Sequence, residues 1–187
     1  MIIIDLMLIM LFIFTITLLS GRKIMYNPRA FQIIFTIGVI YSPLSGLIEG
    51  YKLGYIGISS IIGFIAILLV IFIWEYRKNT YRYIIYNVKE DNVTNIIADF
   101  LERKNISYKV CNEEIQLLDT NDRILIHYLT KIILDFKEIK SRDFYNEIIE
   151  EVKFEIKKID KKHFSMDGVL YLVSTLFLLW VRLTFLK

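Results

Sequence analysis

Long apolar runs alternate with one long mixed stretch along this chain. Four runs, Ile2 to Leu19, Ala30 to Ile48, Tyr55 to Trp74 and Val169 to Phe185, are continuous enough to be helices that cross a bilayer. A helix rises about 1.5 Å per residue, so roughly 20 apolar residues span the hydrocarbon core. Each run is apolar on all faces rather than along one stripe, which fits lipid better than a protein interior. The first run carries Asp5 where a secretory signal has basic residues, and no small-x-small cleavage site precedes Gly21, so it reads as a retained helix.

Between the third and fourth runs the pattern changes period. Tyr81 to Val88 alternates as a strand does, with Tyr81, Tyr83 and Ile85 on one face and Arg82, Ile84 and Tyr86 on the other. A helix follows, with Asp91 as its expected N-cap, an apolar stripe of Val93, Ile96, Ile97, Phe100 and Leu101, and Asn105 as a left-handed stop. Ile106 to Cys111, Ile115 to Leu118 and Arg123 to Tyr128 read as a meander of strands. Lys131 to Phe136 is either a fourth strand or a continuation of the third. A closing helix from Ser141 to Ile159 places Tyr145, Ile149, Val152, Ile156 and Ile159 on one stripe, with acids early and lysines late to suit the helix dipole.

The expected fold is therefore four transmembrane helices, arranged three plus one, with an inserted α+β two-layer sandwich of order β-α-β-β-β(-β)-α. The regions are a three-helix part at 1–78, the inserted domain at 79–162 and the fourth helix at 163–187. Both helices of the sandwich would cover one sheet face and leave the other face, or a strand edge, for a partner.

Charge sets the orientation. Arg22, Lys23 and Arg29 follow the first run, Arg77, Lys78 and Arg82 follow the third, and Lys157, Lys158, Lys161 and Lys162 precede the fourth, whereas Glu49 and Lys52 alone lie between the second and third. Basic residues concentrate in cytoplasmic loops, so both termini are expected outside and the domain in the cytoplasm, with Lys187 reaching to the interface. The composition agrees with this segregation: 55% of the 187 residues are hydrophobic and 23% are charged, with a net charge of +3. Residues 76–166 hold 17 bases against 16 acids, which leaves no basic face for nucleic acid.

Within the apolar runs, Asp5 and Arg182 are ionisable and costly to bury, which makes them candidates for an intramembrane ion pair; separate snorkelling is the alternative. Small residues recur at Ser42, Gly46 and Gly50 and at Gly57, Ser60 and Gly63, spacings that let helix backbones approach closely in lipid. Packing within the chain is the reading preferred over a homo-oligomer face. Pro43 is expected to kink the second helix.

Signs of catalysis are few. Cys111 is the single cysteine and His127 and His163 are the two histidines, too few and too scattered for a zinc signature, although His127 could approach Cys111 across the sheet. All eight glycines lie in or beside the apolar runs, so no phosphate loop is expected. Asp119 and Asp122 frame a turn without the rest of a calcium loop. These features point to an integral plasma-membrane protein of bacterial type, without metal or cofactor. Membrane lipid and a protein partner are the expected contacts, and the domain is expected to act as an adaptor or ligand sensor. The alternative is a small transporter or channel subunit with a regulatory domain. A membrane-embedded enzyme ranks third, for want of clustered acids or histidines at one membrane face.

Overall fold

A six-stranded antiparallel sheet organises the polar stretch in the computed structural model, which describes residues 2–160 and 163–185. Lys161, Lys162 and Lys187, invoked above for orientation, lie outside the described residues. The chain divides into two compact units, Met1–Met7 with Pro28–Thr80 and Leu8–Asn27 with Tyr81–Lys187. The first helix, α1 (Ile2–Leu19), contributes to both.

In the first unit, α2 (Pro28–Lys52) and α3 (Ile58–Lys78) are joined by a tight turn. Pro28 begins α2, where its missing N–H is not needed, and Pro43 lies inside the helix. Leu53 and Tyr55 donate backbone bonds to Glu49 and Gly50, and Gly54 adopts φ +76°, a left-handed conformation that favours glycine. No residue of α3 is buried.

The second unit contains the sheet. Its strands are β1 (Ile24–Tyr26), β2 (Arg82–Tyr86), β3 (Tyr108–Cys111), β4 (Glu114–Leu117), β5 (Arg123–Tyr128) and β6 (Ile132–Asp135), in the spatial order β1-β2-β6-β5-β4-β3. Helices α4 (Glu90–Arg103) and α5 (Tyr145–Lys158) supply the apolar layer opposite one sheet face, and α6 (Met166–Phe185) closes the chain. The core joins Ile85, Ile115, Leu117, Ile124, Ile126, Ile132 and Leu134 of the strands to Val93, Ile97, Phe100, Leu101, Ile148, Val152 and Ile156 of the two helices. Burying each such side chain is worth about 2 kcal/mol. Period-2 alternation in the strands and period-3.6 spacing in the helices thus meet on one surface.

Several details depart from the expectations. Strand β1 was not foreseen: it lies in the short loop after α1 and pairs with the edge of β2 in the register Ile24↔Tyr86, Met25↔Ile85, Tyr26↔Ile84. Three residues are too few for a visible alternation. Ile132–Asp135 is a strand of its own, because the chain turns at Leu129, whose N–H bonds the Lys131 carbonyl. Helix α4 starts at Glu90 with Lys89 at its N-cap position and no side-chain cap, so Asp91 sits inside the first turn. Helix α5 starts at Tyr145 rather than at Ser141.

Two helices among the described residues, Ile58–Lys78 and Met166–Thr184, are long and apolar enough to cross a membrane, while Leu8–Leu19 is a shorter apolar helical stretch. The second face of the sheet is not wholly free. Phe14 of α1 meets Tyr86 of β2 at a centroid distance of 5.9 Å and Tyr171 of α6 at 5.4 Å, so α1 and α6 cover the β1–β2 end of that face.

Candidate functional site

The densest set of buried polar groups in the second unit lies where α1 ends, β2 ends and α6 begins. Helix α1 stops in a left-handed turn: Ser20 N–H bonds Ile16 O, Gly21 N–H bonds Leu18 O, and Gly21 has φ +71°. A Cβ at Gly21 would also meet the Phe164 ring at 3.1 Å, so both backbone and space require glycine there. The chain then enters β1 and joins the sheet edge.

Asn87 follows β2 directly. Its φ of 62° is a left-handed conformation that asparagine tolerates better than most residues, and the residue is only 2% exposed. The amide Nδ2 donates to Leu18 O at 2.9 Å and to Arg22 O at 2.8 Å, while Oδ1 accepts from Ser165 N–H at 2.8 Å. One side chain therefore binds the sheet to the end of α1 and to the start of α6.

Ser165 caps α6. Its hydroxyl accepts from Asp167 N–H at 3.2 Å and donates to Thr130 O in the β5–β6 turn at 2.8 Å. A Cβ on Gly168 would lie 3.1 Å from the Leu19 side chain and 3.4 Å from that of Leu18, so the first turn of α6 rests against the last turn of α1. Further along the same helices, Thr15 and Thr175 donate to Leu11 O and Tyr171 O of their own helices, and their hydroxyl oxygens meet at 3.4 Å. The contact order, residue 19 with 168 and residue 15 with 175, makes α1 and α6 an antiparallel pair.

Beneath this pair lies an aromatic layer. Tyr26 and Tyr86 stack at 6.3 Å, and Phe14 sets its edge against Tyr26 at 6.0 Å. The Lys131 ammonium lies 5.9 Å from the centre of the Tyr86 ring. The Tyr86 hydroxyl faces those of Tyr26 and Tyr171, while among the described residues the buried Asp167 Oδ2 has no hydrogen-bond partner. Burial pushes the Tyr26 phenol up to about 12 and the Tyr86 phenol higher still, so both are neutral at physiological pH.

The first unit has a polar lock of its own between the start of α2 and the end of α3. Arg29 donates through Nε to Tyr76 O at 3.2 Å and through its guanidinium to Thr80 Oγ1, and its guanidinium carbon lies 4.1 Å from the Tyr76 ring centre. Asn79 Nδ2 donates to Gln32 Oε1 at 3.2 Å.

The residues singled out from sequence fall elsewhere. Asp5 is in the first turn of α1, within the first unit, and Arg182 in the last turn of α6, within the second. Ser42 lies in α2. A Cβ added at Gly46 or Gly63 would meet no described atom within 4 Å, one at Gly50 would touch Ile56 at 3.5 Å, and one at Gly57 would touch Ser59 Oγ at 3.4 Å. Gly57 precedes α3, and its carbonyl accepts from Ser60 N–H. His127 is joined to Glu113 at 3.2 Å, while Cys111 is paired in register with Glu114. Asp122 bonds Thr120 Oγ1 at 2.9 Å and Arg142, which holds its carboxyl below the usual carboxylate value. Among the described residues, no three His, Cys, Asp or Glu side chains gather as a metal site.

Sequence reasoning passed over Asn87, Ser165, Asp167, Tyr26 and Tyr171. Two signals for them existed: a serine just before an apolar run is a helix N-cap signature, and an asparagine closing an alternating stretch marks a left-handed turn. Compared with known proteins, the chain matches no family model, no curated protein and no solved structure.

Proposed function

We propose that this chain is a multi-pass plasma-membrane protein whose cytoplasmic α+β domain binds a protein partner or a small ligand and passes the event to the α1/α6 helix pair. The observation that carries the reading is the Asn87 side chain, which holds the end of α1, the start of α6 and the sheet through three buried hydrogen bonds. A domain fixed in this way cannot shift without pulling on two helices. Coupling through such a strut requires an element with two arrangements, and the buried Asp167 Oδ2 beside it, which has no hydrogen-bond partner among the described residues, is a group that a second arrangement would satisfy.

Membrane anchoring is supported by the lengths and compositions of α3 and α6. The orientation is supported by β1: because the loop after α1 is hydrogen-bonded into the sheet, Arg22 and Lys23 share a side with the domain. Binding would use the polar end of the second sheet face, where Arg123 pairs with Glu138 at 3.0 Å and with Glu114 at 3.6 Å. These groups are the accessible polar part of a face whose other end is occupied.

Photo-crosslinking in intact cells from a photoreactive residue at Gln116, on that face, tests the binding reading. A discrete adduct that is absent from a control position at Asp119 is expected. Cells that yield no adduct from Gln116 would overturn the protein-partner form of the reading.

A further inference from the structure

The turn between β5 and β6 has an arrangement that the sheet itself does not need. Tyr128 and Leu129 are 43% and 80% exposed at its tip, and Lys131 follows. An isolated exposed leucine is unremarkable, but this one is held in a defined place. Thr130 O accepts the Ser165 hydroxyl at 2.8 Å, and Ser165 immediately precedes the candidate span Met166–Thr184. Phe164 and Met166, on either side of Ser165, are 58% and 69% exposed. Four largely apolar side chains are therefore left uncovered by protein around the first turn of a helix long and apolar enough for lipid.

We infer that the β5–β6 turn is a membrane-interface anchor: Leu129 and Tyr128 insert at the headgroup and acyl boundary of the bilayer that α6 enters. The inference rests on the membrane reading of α6. Three features select a lipid surface as the occupant. One hydrogen bond fixes the tip at the level where the span begins. The exposed set pairs an aliphatic side chain with a tyrosine, whose amphipathic ring suits that boundary. Lys131 in the turn itself and Arg22, whose carbonyl accepts from Asn87, bring basic charge that complements anionic headgroups. Of the acids near the tip, Asp167 is buried and Glu113 is held by His127. Through Ser165 and Asn87 the anchor also connects to the strut described above, so lipid at the tip would brace the sheet against α6.

The test uses the full chain in nanodiscs of phosphatidylethanolamine and phosphatidylglycerol, with an environment-sensitive fluorophore on one introduced cysteine in a Cys111→Ala background. Three positions are compared: Leu129→Cys at the tip, Leu178→Cys within α6, and Asn121→Cys at the turn at the far end of β5. Quenchers carried on lipid acyl chains and quenchers dissolved in water are applied separately. Leu129 and Leu178 should both be quenched from the lipid, and Asn121 from water alone. Lipid quenching at Leu178 with Leu129 behaving like Asn121 would overturn the anchor and leave the membrane reading standing. Water quenching at Leu178 would overturn both. Shielding of Leu129 from both quenchers would show that protein covers the tip, and would overturn the anchor.

Discussion

Replacing Asn87 by alanine removes three hydrogen bonds at once, and their costs differ. Ser165 N–H, buried, loses its acceptor, which costs about 1–3 kcal/mol. The Arg22 carbonyl is partly buried and can be reached by water, so its loss is worth about 0.5–1 kcal/mol. Leu18 O still accepts from Gly21 N–H and adds little. Alanine at φ 62° adds roughly 1 kcal/mol of backbone strain. The junction should therefore open more easily by about 2.5–5 kcal/mol, and because each 1.4 kcal/mol is a factor of ten, amide exchange in the segment 163–168 should accelerate by more than about fiftyfold. Hydrogen-exchange mass spectrometry of the full chain in nanodiscs reads this directly. Asn87→Gly separates the two causes: glycine accepts the left-handed backbone, so its effect should be smaller than that of alanine by about 1 kcal/mol. Exchange within about threefold of wild type in both variants would refute the strut.

Other outcomes follow from neighbouring groups. Gly21→Ala combines left-handed strain with a 3.1 Å contact to the Phe164 ring, and should lower thermal stability in detergent by more than the roughly 1–2 kcal/mol of the backbone penalty alone. Tyr26 holds its proton more tightly in the folded state than in the unfolded chain, so its contribution is complete below about pH 10 and is lost as the pH rises toward about 12; Tyr26→Phe should flatten alkaline unfolding across that window, as followed by tyrosinate absorbance and circular dichroism. The Arg142 bond lowers the Asp122 carboxyl, giving stability that is present above its ordinary value of 3.8 and lost as the pH falls through the lowered one. Arg142→Ala should return the Asp122 titration to the ordinary range in carboxyl NMR.

Much of the inserted domain was legible because its elements carry their own periods. Ile115 and Leu117, Ile124 and Ile126, and Ile132 and Leu134 alternate along the strands, and Val93, Ile97, Phe100 and Leu101 keep helical spacing, so each element announces the face it buries. Asn105, read as a left-handed stop, has φ 54°. The junction was harder to read because its residues lie about 60 to 80 positions apart and become neighbours only when the sheet edge, the end of α1 and the start of α6 converge. Ile24 to Tyr26 has no periodicity of its own, since a three-residue edge strand is stabilised by its partner β2 rather than by local preference. Asp5, Arg182 and the small residues stood out because charge and missing side chains are unusual in apolar runs. That signal marks cost in lipid, whereas the buried hydrogen bonds gather around Asn87, a residue of ordinary polarity at the end of a strand.

Coupling between the junction and the helix pair can be measured within one molecule. Thr15 and Thr175 bring their hydroxyl oxygens to 3.4 Å, so cysteines at both positions, in a Cys111→Ala background, are placed to form a disulfide in native membranes under a lipid-permeant oxidant. If the sheet holds α1 and α6 together through Asn87, the intramolecular bond should form readily, and adding Asn87→Ala should slow it markedly. Absence of the bond, or formation at the same rate with and without Asn87, would contradict the coupling.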